Sequence, residues 1–110
     1  MDKHFNALSP AELERLALLG EEMCEAGQII GKILRHGYES YDPTDENAVV
    51  NRALLQKELG HVKAAIRLMS RAEDIDLREV EWHQTHKLES VKQWLHHQPS
   101  HVVDRAKESG

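Results

Sequence analysis

Apolar residues recur along this chain at helical spacing, in three segments separated by turn-forming residues. The first segment opens at "SPAE", where Ser9 can act as N-cap, Pro10 suits the first helical position and Glu12 completes a capping box. The helical pattern then continues to about His36, where Gly37 supplies a stop signal. These signals predict one long first helix.

The loop after the first helix, "GYESYDPTDENA", contains turn-forming residues and four acids. Asp42, which precedes a proline, or Thr44 can cap a second helix. That helix is predicted to start within residues 43–48 and to end at about Ala72.

A third helix is predicted over residues 77–97, because Asp76 and Glu79 form another capping-box pattern before it. Residues 99–110 show no periodicity, so we expect them to be a flexible tail after a helical domain of residues 1–98. No segment shows the alternation of a strand. The predicted fold class is all-α, with three main helices per chain.

The first two helices each carry an apolar stripe and, one position earlier, a partly polar stripe. The apolar stripes are Leu19, Met23, Ala26, Ile30 and Ile33 in the first helix, and Leu55, Leu59, Val62, Ile66 and Met69 in the second. The partly polar stripes contain two pairs of candidate metal ligands at i,i+3 spacing, Glu22 with Glu25 and Glu58 with His61.

These four ligand groups would enter one space if the two helices packed through their apolar stripes. Buried carboxylates repel and are costly unless they are neutralised, and a hard divalent cation neutralises them with oxygen ligands. A solvated helix face would explain a single pair of this kind. Matching pairs beside matching apolar stripes favour a metal site instead.

Composition narrows the classes of partner. A chain of 110 residues makes one domain, and its net charge of −5 argues against a nucleic-acid backbone, which calls for a basic face. No segment approaches the length of a membrane span, and the N-terminal residues contain no apolar run resembling a signal peptide. Cys24 is the single cysteine, which excludes an internal disulfide. We therefore expect a cytoplasmic protein with no nucleic-acid or membrane partner.

The motifs "EEMCE" and "ELGHV" together resemble the E-E-x-x-E … E-x-x-D signature of the MazG-like, all-α nucleoside triphosphate pyrophosphohydrolases. The surrounding "KILRHG" and "KELGHVKAAI" resemble small, single-domain phage and bacterial members, and the resemblance covers roughly residues 12–97. It implies a magnesium-dependent hydrolase that converts a nucleoside triphosphate, which can be noncanonical, to the monophosphate and pyrophosphate. It also implies a four-helix bundle completed by a homodimer or homotetramer.

Carried onto this chain, the family's metal-binding carboxylates fall on Glu22, Glu25 and Glu58. The fourth ligand position falls on His61, where the family has Asp, so the chain departs from the pattern at a ligand. The 32 residues between Glu25 and Glu58 are also more than is usual in the signature. Because Mg²⁺ prefers oxygen whereas Mn²⁺, Fe²⁺ and Zn²⁺ accept nitrogen more readily, His61 predicts weakened Mg²⁺ binding and better support from Mn²⁺.

Other residues near the motifs are candidates for catalysis and for substrate binding. Glu21, one position from the ligand stripe, is a candidate to orient or deprotonate the attacking water, alongside Glu22 and Glu25; a surface role is the alternative for Glu21. The candidate substrate-binding residues are Lys32, Arg35 and His36 for phosphate and Asn51 for sugar or base. The three cationic residues also suit a helix C-terminus because of the helix dipole.

Two other functions remain open. Glu58-x-x-His61 is also the E-x-x-H pattern of di-iron or di-manganese carboxylate bundles, and a homodimer would supply two such motifs. The third alternative is a helical interaction protein in which the site is inactive.

Self-association is expected on packing grounds as well. The two stripes on each of the first two helices span a wider arc than one partner helix covers, and a symmetric copy can bury the remainder. Gly20, Gly27 and Gly31 interrupt the first helix and are expected to let another helix approach closely. A homodimer or homotetramer is predicted.

Overall fold

The computed structural model describes residues 5–104, and most of these residues are helical. The elements are α1 Pro10–His36, α2 Asn51–Arg71, α3 Leu77–Ser90, a 3₁₀ turn Val91–Gln93 and α4 Ser100–Val103. Extended pairing within these residues is limited to one bridge between Tyr41 and Val50. The predicted helical class, with three long helices and no strand over residues 5–104, is confirmed. None of the helices described combines the length and the apolar character needed to cross a lipid bilayer.

The ends of α1 match the sequence prediction. Ser9 Oγ accepts a hydrogen bond from the Glu12 backbone N–H at 3.1 Å, and Glu12 Oε1 accepts one from the Ser9 N–H at 2.8 Å. Gly37 follows the helix with φ of 92°, a conformation that glycine adopts without strain, and its N–H donates to the Ile33 carbonyl. The capping box and the glycine stop are both confirmed.

The start of α2 corrects the sequence prediction. Asp42 Oδ1 accepts from both the backbone N–H and the hydroxyl of Thr44, and Asp45 accepts from two N–H groups further along the loop. These side chains stabilise successive turns, which compete with helix formation. The helix therefore begins at Asn51, without a side-chain cap, and a start within residues 43–48 was wrong.

The break between α2 and α3 lies where the sequence places it. α2 ends at Arg71, one residue before the predicted end, and Glu73 adopts a φ of 63° that interrupts the helix. Asp76 then caps α3 by accepting a hydrogen bond from the Arg78 N–H at 2.9 Å. The predicted cap at Asp76 is confirmed.

The end of α3 differs from the prediction of a helix to His97. The helix stops at Ser90, whose hydroxyl donates to the Lys87 carbonyl at 3.3 Å, and the chain tightens into the 3₁₀ turn. A serine hydroxyl that bonds the preceding turn competes with the regular helical pattern. The expected tail, residues 99–110, begins with the single turn of α4, and residues 105–110 lie outside the described residues.

The chain forms two compact units, Met1–Asp74 and Ile75–Gly110. In the first unit, α1 and α2 pack against each other in antiparallel orientation. Arg15, near the start of α1, donates to both carboxylate oxygens of Asp74, at 2.6 and 3.0 Å, just after α2 ends. At the other end, the Asn51 amide donates to the Gly37 carbonyl at 3.2 Å. In the second unit, α3 contacts the 3₁₀ turn.

The contact face between α1 and α2 covers the predicted apolar stripes only in part and extends onto the partly polar stripes beside them. Met23, Ile30 and Leu59 from those stripes are exposed, while Glu22 and Glu25 are half-buried. The buried positions of the two helices are Ala26, Asn51, Glu58, Ala65 and Met69. One partner helix covers an arc centred between the two stripes of each helix, so the far edge of each apolar stripe remains uncovered.

The glycines of α1 lie on its uncovered side or near its edge. A Cβ atom added at Gly20 or Gly27 would meet nothing within 4 Å, and one at Gly31 would lie 3.5 Å from Arg35 Nη1. No helix among the described residues approaches Gly20 or Gly27, so the expected close approach is not made within one chain.

Candidate metal site

α1 and α2 bring together Glu22, Glu58 and His61. His61 Nδ1 lies 3.2 Å from Glu22 Oε2 and 3.4 Å from Glu58 Oε2, and one donor atom from each residue lies within 4.8 Å of the other two. Glu58 and His61 are one turn apart on α2, and Glu22 faces them from α1. The cluster contains three of the four residues predicted as metal ligands.

Glu58 is the most buried member of the cluster. The residue is 7% exposed, and its Oε2 atom is buried without a hydrogen-bond partner among residues 5–104. Its 3.4 Å separation from His61 Nδ1 brings the two groups within ion-pair range but does not make a hydrogen bond. A carboxylate oxygen in this position is costly unless a cation or a donor contacts it. A divalent cation held between Glu22 and Glu58 would satisfy that oxygen, so the residues present fit a metal ion.

Burial decreases across the cluster from Glu58 to His61. The Glu22 side chain is 14% exposed and the His61 side chain 46% exposed, compared with 9% for the Glu58 side chain. The carboxylates therefore lie at the buried side of the site, and the side next to the imidazole is open to solvent. Such an arrangement leaves room for water and for a ligand to reach a bound ion.

Glu25 lies outside this cluster. It is half-buried, one turn beyond Glu22 on α1, and its carboxylate is not among the grouped donor atoms. Glu21 is exposed and lies four residues before Glu25, so the two share one edge of the helix. The structure thus separates two predicted catalytic carboxylates from the three clustered side chains.

The three residues predicted to bind phosphate lie near the C-terminal end of α1 and are exposed: Lys32, Arg35 and His36. Lys32 is seven residues beyond Glu25, about two turns or ~10 Å along the helix axis. The positive charge of Lys32 also affects a carboxyl group in the following loop. The pKa of the Asp42 carboxyl is lowered chiefly by hydrogen bonds from Thr44 and, to a smaller extent, by the positive charge of Lys32.

Asn51, predicted to contact sugar or base, lies at the start of α2 and bonds the preceding loop. It is 5% exposed; its amide donates to Gly37 O, and its backbone N–H donates to Ser40 O at 2.8 Å. These bonds tie the loop to the start of α2. The Asn51 amide nitrogen is thus engaged with the loop in this structure.

Arg52, which the sequence analysis did not single out, also fastens this loop. Its guanidinium lies over the Tyr38 ring, 4.3 Å from the centroid, and its Nε donates to Glu39 Oε1 at 2.6 Å. No local motif marks this contact, because the partners are separated by the whole loop. Within residues 5–104, the grouped donor atoms include no ligand beyond those that the sequence named.

Comparisons with family models, with curated proteins and with solved structures find no match to this chain. The fold and the site define a helical protein whose antiparallel helix pair carries a cluster of two carboxylates and one imidazole.

Proposed function

We propose that this chain is a divalent-metal-dependent nucleoside triphosphate pyrophosphohydrolase whose site is built on Glu22, Glu58 and His61. The observation that carries the proposal is the buried, unpartnered Oε2 of Glu58 beside two further donor groups. The similarity of "EEMCE" and "ELGHV" to the MazG-like signature supplies the reaction class.

The clustered residues would hold the ion on the phosphate chain. Glu22 and Glu58 contribute two negative charges, which a divalent cation balances, and the open side at His61 admits the substrate. When bound, the ion supplies a Lewis acid that polarises the phosphoryl oxygens.

Glu25 is suited to act as general base. Its half-buried carboxylate lies one turn from Glu22 but outside the cluster, so it stays free to orient a water molecule and accept its proton. The water oxygen forms a bond to phosphorus as the anhydride bond between the α- and β-phosphates breaks. The products are a nucleoside monophosphate and pyrophosphate. Glu21, on the same edge of α1, adds negative charge near this water from an exposed position.

Lys32, Arg35 and His36 would bind the outer phosphates. They are exposed and follow Glu25 along α1, and Lys32 and Arg35 carry the positive charge that a triphosphate attracts. A point charge such as Lys32 neutralises phosphate oxygens, whereas the planar Arg35 fork can bind two of them at once.

A panel of nucleoside triphosphates, assayed with Mg²⁺ and with Mn²⁺, tests this function. Pyrophosphate and orthophosphate are measured separately in each reaction. We expect one pyrophosphate for each monophosphate formed, because the chain contains no P-loop pattern for γ-phosphate transfer. Orthophosphate as the only inorganic product would reject the proposal.

We also propose that the working form is a homodimer or homotetramer. The buried apolar residues of the described chain are Ala26, Ala65 and Met69, a small core. Met23, Ile30 and Leu34 remain exposed on α1, at 57%, 45% and 82%, beside the open positions at Gly20 and Gly27. A second copy would bury this side and complete a four-helix bundle.

A di-iron or di-manganese carboxylate protein is the second candidate, favoured by the presence of His61 in the cluster. The Glu58-x-x-His61 pair with Glu22 supplies two carboxylates and one imidazole, and a second copy would supply an equal set. Visible absorption from two bound iron ions per dimer, with no release of pyrophosphate, would favour this candidate over the hydrolase.

A further inference from the structure

The cluster contains one imidazole nitrogen, from His61, where an all-carboxylate site would have an oxygen. His61 presents Nδ1 to both carboxylates, at 3.2 Å from Glu22 Oε2 and 3.4 Å from Glu58 Oε2. Glu25, the residue that would add a third carboxylate, lies outside the grouped donors. The donor set is therefore two oxygens and one nitrogen.

The separations of these donors suit one small ion. Two ligand atoms that each lie ~2.1 Å from an ion, at a tetrahedral angle, are ~3.4 Å apart, whereas octahedral neighbours at that distance are ~3.0 Å apart. The separations measured from His61 Nδ1, 3.2 and 3.4 Å, fall within this range. These distances suit an ion shared between His61 Nδ1 and either carboxylate, and the donor atoms of Glu22 and Glu58 lie within 4.8 Å of each other.

We infer that Glu22, Glu58 and His61 form a single-ion site that selects Mn²⁺, Fe²⁺ or Zn²⁺ over Mg²⁺, with His61 Nδ1 as a direct ligand. Imidazole nitrogen suits these transition metals, while Mg²⁺ demands oxygen ligands in near-ideal octahedral geometry. The two carboxylates match the charge of a divalent ion. This inference rests on the metal site of the proposed function, but it does not depend on the substrate or the reaction.

Calorimetric titration of the full chain with MnCl₂, ZnCl₂ or MgCl₂ alone, without nucleotide, tests the selectivity. We expect Mn²⁺ to bind at least about tenfold more tightly than Mg²⁺. His61→Asp should tighten Mg²⁺ binding and narrow this ratio, because it restores an all-oxygen site. His61→Asn, which keeps a side chain of similar shape without the imidazole, should weaken Zn²⁺ binding at least about tenfold, since even losing a group that supports a ligand costs ~10–100-fold.

The matched control is His83→Ala on α3. His83 is also a histidine near a glutamate, 4.0 Å from Glu79, but both side chains are exposed and neither belongs to the cluster. This variant should retain the affinities of the wild-type chain. Far-ultraviolet circular dichroism checks that each variant is folded. If the added charge of His61→Asp unfolds the chain, the Zn²⁺ affinity of His61→Asn alone tests whether His61 is a ligand.

Long-range proton–nitrogen NMR spectra of the imidazoles identify the ligand atom directly. One equivalent of Zn²⁺ should shift Nδ1 of His61 before the nitrogens of the other seven histidines. Equal affinity of the wild-type chain for Mn²⁺ and Mg²⁺, or an unshifted His61, would overturn the inference. Selective binding without hydrolysis would support this inference while rejecting the proposed function, so the two failures are distinguishable.

Discussion

Glu58 is the residue on which the metal-site account depends most. Its buried Oε2 has no hydrogen-bond partner among the described residues, so Glu58→Gln removes an unfavourable charge from the ion-free chain. We expect the melting temperature of this variant without metal to equal or exceed that of the wild-type chain.

Addition of metal should reverse the order of the two melting temperatures, so that the wild-type chain melts above Glu58→Gln. Free ion at about 100 times its Kd stabilises a one-site protein by about 2.7 kcal/mol, which raises the melting temperature by several degrees. The wild-type chain and the control Glu79→Gln should show this rise with Mn²⁺, and Glu58→Gln should not. A large loss of stability in ion-free Glu58→Gln would instead mean that the carboxylate has a protein partner.

At the scale of single elements, α1 depends on its capping box. Ser9→Ala removes the acceptor for the Glu12 N–H and should lower the free energy of unfolding by about 0.5–2 kcal/mol. Urea denaturation measures this change. Ser100→Ala is the control, because Ser100 is the first residue of the short helix α4, whose N-cap is Pro99. Equal effects of the two substitutions would contradict the assigned role of Ser9.

The ion pair that joins the start of α1 to the end of α2 predicts a pH dependence. Hydrogen bonds from Arg15 hold the pKa of the Asp74 carboxyl below its ordinary value. A depressed pKa in the folded state contributes stability that is fully present above the unfolded pKa, ~3.9, and is lost as pH falls through the lower folded value. Asp74→Asn should therefore be less stable than the wild-type chain at pH 7, and the difference should shrink below about pH 4. Thermal melts of both proteins between pH 2 and pH 7 measure this difference in stability. A difference that does not change with pH would contradict the stabilising role of the Arg15–Asp74 ion pair.

Helix ends that depend on neighbouring residues in the sequence were predicted correctly. The capping box of Ser9, the stop at Gly37 and the cap at Asp76 each depend on residues within one turn, and all three were predicted correctly. The start of α2 was placed too early, because Asp42 and Asp45 suit a turn as well as a helix cap.

The candidate site was predictable in part for the same reason. The i,i+3 spacing of Glu58 and His61 fixes them on one face of α2, and the sequence paired that face with Glu22. Glu25 lies outside the cluster because of the particular faces through which α1 and α2 pack. The periodicity of apolar residues does not define those faces closely enough to predict this. The Arg15–Asp74 pair, separated by 59 positions, gave no local signal at all.

At the scale of the whole molecule, the exposed side of α1 predicts self-association. Light scattering after size-exclusion chromatography should give a mass of at least twice the 12.6 kDa of one chain at micromolar concentration. Ile30→Glu should shift the protein to monomer, because it puts a charge among exposed apolar residues. Val102→Glu, at an exposed apolar position on α4, is the control. A monodisperse wild-type monomer would contradict the proposed assembly.

Pyrophosphate release by matched glutamate variants tests whether the cluster at Glu58 is the site of hydrolysis. The wild-type chain, Glu58→Gln and Glu79→Gln are compared on the best nucleoside triphosphate with Mn²⁺ present. Glu79 is exposed on α3 and undergoes the same chemical change outside the cluster. We expect the wild-type chain and Glu79→Gln to release pyrophosphate at equal rates. Glu58→Gln should lose at least about 99% of the rate, as expected when a group that stabilises the transition state is removed. Full activity in Glu58→Gln, or no pyrophosphate from the wild-type chain on any nucleoside triphosphate, would contradict the proposed hydrolase site.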